Sequence, residues 1–237
     1  MSLLVNTKYR TNATEIMDDF SISGTILRDT LNKIDNINAF LGGNNVTING
    51  LKKLLKNHPK EKPITIIDLG SGSGDILRNV AKLGKREGYA FNLIGIDANK
   101  DTTAYANELS INYPEIQFLD YNIFSETFKS LEFDIVLSTL FLHHFKENEL
   151  HSLLSYLIKK ATIGIVVNDL QRHKLAYYLF KLLCIPITNK MVIEDGLTSI
   201  LRGFKRKELE SISTKINANY AIKWKWAFRF QWILKRK

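Results

Sequence analysis

Between Pro63 and Asn168, short apolar runs alternate with stretches whose apolar residues recur at helical spacing. The pattern predicts strands over Ile64–Asp68, Phe91–Ile96, Ile116–Leu119, Phe133–Ser138 and Thr162–Asn168. Helices are predicted between them over Asp75–Arg86, Thr102–Asn112 and Glu147–Lys160. Strand and helix in alternation mean an α/β fold: a parallel, doubly wound sheet with helices on both faces. A ligand then binds at the carboxyl ends of the strands, beside the point where strand order reverses.

The flanks follow other rhythms. Ile26, Leu27, Leu31, Ile34 and Ile37 give a helix over Thr25–Phe40, stopped by Gly42-Gly43, and Leu51, Leu54 and Leu55 mark a second that ends before Pro59. Residues 1–60 thus read as a helical unit ahead of a domain over 61–237. The pair either packs on the core or caps a site, with Met17, Asp18, Asp19 and Phe20 in its connecting segment. Leu175–Leu183 is apolar nearly all round, which suits a buried helix, a lid over an apolar pocket or an interfacial membrane contact. A helix follows over Lys205–Ile216. In the tail, Ile222, Trp224, Trp226, Phe228, Phe230 and Trp232 share one parity and Lys223, Lys225, Arg229 and Gln231 the other. That is the pattern of a half-buried antiparallel strand or hairpin closing the sheet, although aromatics among basic residues can also stack bases.

A chain of 237 residues, 45% of them hydrophobic, is large enough for one sizeable core. The single cysteine, Cys184, excludes a disulfide framework and a clustered thiolate site, and no metal-ligand constellation stands out. The first residues lack a signal-peptide core and no run has the length of a membrane span, so a cytoplasmic protein is expected, monomer or dimer. A net charge of +9 raises nucleic acid as a partner, but the lysines and arginines are scattered, as on a solvated surface.

The chemistry concentrates in Ile64–Asp75, I-T-I-I-D-L-G-S-G-S-G-D. Glycines after a strand let a ligand lie against the backbone, and a following helix offers free N–H groups. The dinucleotide fingerprint G-x-G-x-x-G fails, because Asp75 stands where its third glycine belongs. What stands instead, Asp68-x-Gly70-x-Gly72-x-Gly74, resembles the first motif of class I S-adenosylmethionine-dependent methyltransferases, and the resemblance covers roughly residues 60–237. It implies a Rossmann-like sheet of seven strands, mostly parallel with an antiparallel C-terminal strand, and S-adenosylmethionine as cofactor, leaving S-adenosylhomocysteine. Asp68 would hold the cofactor's ammonium group, and Asp97, ending the second strand, both ribose hydroxyls. Ser71, Gly74, Ala98, Ser138 and Leu140 complete the expected cradle. For the adenine, Asp120 and Asn122 compete; Asn122 is favoured, with Ile123 supplying a backbone contact.

The exit of the fourth strand, S-T-L-F-L-H-H-F, lacks the [D/N]-P-P-[Y/F] of base-amine methyltransferases, and Cys184 sits in an apolar helix rather than beside a proline. Nucleic acid is therefore not the expected substrate. His143 and His144 fall where the family places groups near the reactive methyl, so either can act as base for a hydroxyl, shape the pocket or cap the next helix. Asp169, Arg172 and His173, at the end of the fifth strand, are expected to face substrate, unless Arg172 and Asp195 form a structural ion pair. The D-L-x-R-H and D-G-x-x-S-x-x-R-x-F patterns, with Asn38–Gly43 upstream, resemble bacterial methyltransferases of polyketide, resorcinol or quinone-like aromatics. The reading is O-methylation of a small apolar, aromatic hydroxyl compound; the alternatives are an RNA methyltransferase or a non-catalytic cofactor-binding module.

Overall fold

A computed structural model describes residues 5–237; Met1–Leu4, the start of the expected N-terminal unit, lie outside the described residues. The elements run α1 (Gly24–Phe40), α2 (Gly43–Leu55), β1 (Ile64–Leu69), α3 (Asp75–Glu87), β2 (Phe91–Ile96), α4 (Lys100–Leu109), β3 (Ile116–Leu119), α5 (Glu126–Lys129) and β4 (Ile135–Thr139). There follow α6 (Glu147–Lys160), β5 (Gly164–Leu170), α7 (Lys174–Leu183), α8 (Lys190–Arg202), α9 (Arg206–Lys215), β6 (Ala218–Lys225) and β7 (Arg229–Arg236). Short 3-10 turns stand at Ile16–Asp18 and Leu142–His144.

The strands form one seven-stranded sheet in the order β3-β2-β1-β4-β5-β7-β6. β1 to β5 are parallel, and β7 is inserted antiparallel between β5 and the edge strand β6. Neighbouring residues of the central strands enter opposite cores. Ile66, Ile135 and Val166 pack with α2 and α3, whereas Ile67, Val136 and Val167 pack with α6 and α9. Each such buried aliphatic side chain contributes about 1.5–3 kcal/mol relative to exposure. This two-sided burial is why the strands carry continuous apolar runs.

The two expected roles of the N-terminal pair are divided between its helices. α2 is a core helix whose Leu51, Leu54 and Leu55 are buried, and it lies so close to β5 that a Cβ on Gly50 would meet Val166 at 2.4 Å. α1 arches over the carboxyl ends of the strands and is tied to α8 by Asn189, which donates to Asp29 (2.8 Å) and Thr30 (2.9 Å). α7 buries only Ala176 outright, so it is not a core helix; Ala176, Phe180 and Leu183 line the cavity beneath it. No helix among the described residues is long and apolar enough to cross a membrane.

The expected alternation of the tail breaks at the hairpin turn. Trp224 and Trp226 lie exposed near the edge, while Arg229 and Gln231 are buried, because β7 is an interior strand covered on both faces. Gln231 is satisfied there by donating to the Val46 carbonyl at 2.6 Å.

Candidate functional site

A cavity of about 730 Å³ opens at the carboxyl ends of the strands, where the topology places a ligand. β1 supplies its floor through the glycine loop, β2 through Asp97, and α1, α7 and α8 its apolar roof.

The loop conformation explains the glycines. Gly70 and Gly72 take φ of 65° and 51°, and a Cβ at Gly70 would strike the Phe141 ring. The space over Gly72 is open, with Leu31 of α1 at 3.7 Å. Gly74 serves another purpose, preceding α3 with φ 81°, against Phe118 and away from the cavity. The Asp97 carboxylate accepts the Gly72 N–H (3.2 Å) and the Asn99 N–H (3.0 Å), so it locks the loop to the end of β2. Asn99 then caps α4. Ser73 donates to Asp35, fastening α1 over the loop; burial raises the Asp35 carboxyl to about 6.

Asp68 is buried at the end of β1, and its Oδ1, like Ser71 Oγ, has no hydrogen-bond partner among the described residues. Burial, with Asp97 and Asp75 nearby, pushes the Asp68 carboxyl up to about 7, and burial also raises Asp97. These residues fit S-adenosylmethionine: a buried Asp68 and a half-buried Asp97, neither ion-paired among the described residues, an open glycine surface and no basic residue in the loop. The adenine candidates separate. Asp120 is exposed and does not line the cavity. Asn122 does line it, although its Oδ1 already accepts the Phe124 N–H at 2.9 Å, and Ile123 is buried beside it. Ala98 and Leu140 line the cavity; Ser138 is buried behind it with its Oγ unpartnered.

Past β4, Leu140 adopts a left-handed φ of 54°, and the turn that follows carries both histidines. The His143 ring Nδ1 lies 2.7 Å from Asp169 Oδ1, and its backbone N–H donates to Oδ2 of the same carboxylate (3.1 Å). Nε2 of His143 is left without a hydrogen bond, 3.5 Å from Glu15 Oε1. His144 is held likewise by Asp18 (2.7 Å), with its Nε2 3.7 Å from Glu15 Oε2. Burial alone would lower the His143 pKa, but the charge and hydrogen bond of Asp169, with Glu15, raise it to about 9. The same contacts lower Glu15 and Asp169 despite their burial.

Arg202 of α8 binds this cluster together, donating to Asp18 (2.7 Å) and to the His144 carbonyl (2.5 Å). Ser199 donates to Glu15, and Asp195 accepts the N–H groups of Ile16 and Met17, so α8 fixes the whole Glu15–Asp18 turn. Glu15, His143 and His144 present ligand atoms within 4.8 Å of one another and could take a divalent cation. Arg202, 3.5 Å from Glu15, already supplies positive charge there.

The three expected substrate residues turn away from the cavity. Asp169 is buried behind His143 and orients it. Arg172 is structural: it pairs with Glu208 (2.5 Å) and donates to the Gly203 and Thr7 carbonyls, so its partner is Glu208 rather than Asp195. His173 caps α7 by accepting the Leu175 N–H and stacks on Phe228. Sequence reasoning missed Glu15, which lies in no periodic segment, and Arg229, whose buried guanidinium lines the cavity.

Residues 66–160 match the model of a methyltransferase domain family. No curated protein sequence matches the chain. Among solved structures, the plantazolicin methyltransferase BpumL in complex with S-adenosylhomocysteine is similar, with TM-score 0.65 and 17% identity over 87% of this chain and 89% of that one. The magnesium protoporphyrin IX methyltransferase of Synechocystis PCC 6803 is similar with TM-score 0.55 and 12% identity, over 92% and 89%. The citrinin polyketide synthase CMeT domain gives 0.60 and 15%, over 78% of this chain and 50% of that one. Over residues 66–160 the chain is thus similar to the methyltransferase domain family, and these solved structures share its fold.

Proposed function

We propose that the protein methylates the hydroxyl of a small, largely apolar aromatic compound, with His143 as the proton acceptor. The observation that carries this reading is the buried His143 ring at the cavity wall, its Nδ1 on Asp169 and its Nε2 3.5 Å from the Glu15 carboxylate. S-adenosylmethionine supplies an electrophilic methyl group; the chain must hold the acceptor in line with it, keep water out and remove a proton. Asp68, Gly70, Gly72 and Asp97 form the cofactor side, with Asn122 and Ile123 toward the adenine. Leu31 of α1 covers the glycine loop, and Phe180 and Leu183 of α7 enclose the acceptor side in apolar surface.

Asp169 fixes the ring and stabilises the imidazolium that forms when the hydroxyl proton arrives at Nε2. Glu15 adds a second negative charge on the other flank. Two of the similar structures are named for plantazolicin and for magnesium protoporphyrin IX, which accords with a small-molecule acceptor. The test is transfer of a labelled methyl group from S-adenosylmethionine to a panel of phenols and naphthols, scored by label in organic extracts. Label in an O-methyl ether supports the proposal; S-adenosylhomocysteine binding without transfer to any panel member contradicts it.

A further inference from the structure

Arg229, the first residue of β7, is 2% exposed, and among the described residues its guanidinium makes no hydrogen bond and no ion pair. β7 runs antiparallel, so Arg229 stands opposite Leu170 at the carboxyl end of β5, on the same rim of the sheet as the glycine loop. Its Nη1 lies against the first residue of α2, 2.7 Å from where a side chain on Gly43 would begin. α2 begins after Gly42, with no side-chain cap on its leading N–H groups. A guanidinium never loses its proton, and here it meets the positive end of a helix dipole. Such a charge is stable in a protein interior only when an anion joins it. The nearest anionic influence, Asp169, is already committed to His143.

Arg229 also lines the cavity, beside Gln171, Trp226 and Phe228. Three steps of strand order separate it from β1, ~14 Å across the sheet at ordinary strand spacing. Its backbone thus stands three strands away from Asp68, and both residues line the same cavity.

We propose that Arg229, with the N-terminus of α2, is the anchor for a carboxylate on the methyl acceptor, so that the substrate is an apolar aromatic acid. The proposal rests on the methyltransferase reading above and narrows its substrate class. A planar carboxylate accepts two parallel N–H groups from a guanidinium, and the leading N–H groups of α2 can serve its remaining lone pairs.

The test is calorimetric binding to the S-adenosylhomocysteine-loaded full chain. The probes are 4-hydroxybenzoate and 3-hydroxy-2-naphthoate, each paired with its carboxamide. At least one acid binds tenfold or more tightly than its amide, and Arg229→Met abolishes that preference while leaving S-adenosylhomocysteine affinity within about twofold. Arg229→Met should melt no lower than the parent, because it removes an unpaired buried charge; Arg229→Lys, the second variant, keeps part of the preference. Equal binding of every acid and its amide overturns the proposal. So does a tenfold loss of S-adenosylhomocysteine affinity in Arg229→Met with 5′-methylthioadenosine unaffected, since the carboxylate would then be the cofactor's. Failure of the parent protein to bind S-adenosylhomocysteine would instead overturn the methyltransferase reading itself.

Discussion

Asp97 holds the Gly72 and Asn99 N–H groups and closes the floor of the cavity, so it both shapes the loop and offers its remaining lone pairs to a ligand. Hydrogen bonds to a charged group are worth about 1.5–3 kcal/mol, and Asp97→Ala should weaken S-adenosylhomocysteine binding about 10- to 100-fold by calorimetry. Asp68 gives the site a pH dependence. Its carboxyl, raised to about 7, binds a cationic group only when ionised, so affinity should fall as pH is lowered through about 7. These residues were legible in the sequence because one strand, one turn and one strand end carry them. Glu15 and Arg229 were not, because their surroundings come from distant segments. Glu15 meets His143 through α8, and Arg229, read by parity as outward-facing, is buried because β7 became an interior strand.

Among the elements, α2 and α8 departed most from their expected weight. α2 packs on the sheet with no room to spare: Gly50→Ala pushes a methyl group into Val166 and should cost about 1–3 kcal/mol in urea unfolding. A loss below a few tenths would mean that α2 is not seated on β5. The sequence carries α8 as the D-G-x-x-S-x-x-R-x-F pattern with no helix predicted over it, and Gly196 lowers its helical propensity. The reason for that glycine is tertiary, since a Cβ there would strike the Phe180 ring of α7. The β-α alternation was legible because burial on both sheet faces writes continuous apolar runs, whereas the antiparallel insertion of β7 depends on a hairpin turn whose register sequence parity does not give.

For the whole molecule, the buried charges define a window of stability. Glu15 and Asp169 have lowered pKa values, so their contribution is present above the unfolded carboxylate values, about 4, and is lost as pH falls below them. His143 is raised to about 9, so its contribution is complete below its unfolded value, about 6.5, and is lost as pH rises through about 9. Asp68 is raised too, and its ionisation costs stability between its unfolded value and about 7. The melting temperature of the ligand-free protein should therefore peak between about pH 5 and 7 and fall toward pH 9.5. Saturating S-adenosylhomocysteine should raise it more at pH 8 than at pH 6.

The central claim, that His143 takes the acceptor's proton between Asp169 and Glu15, is tested most directly by the pH dependence of kcat/KM for methyl transfer, in the parent and in Glu15→Gln. The account predicts a rise through an apparent pKa near 9 in the parent, moved toward lower pH in the variant, which loses one flanking negative charge. A flat profile, or one that Glu15→Gln leaves in place, would contradict it.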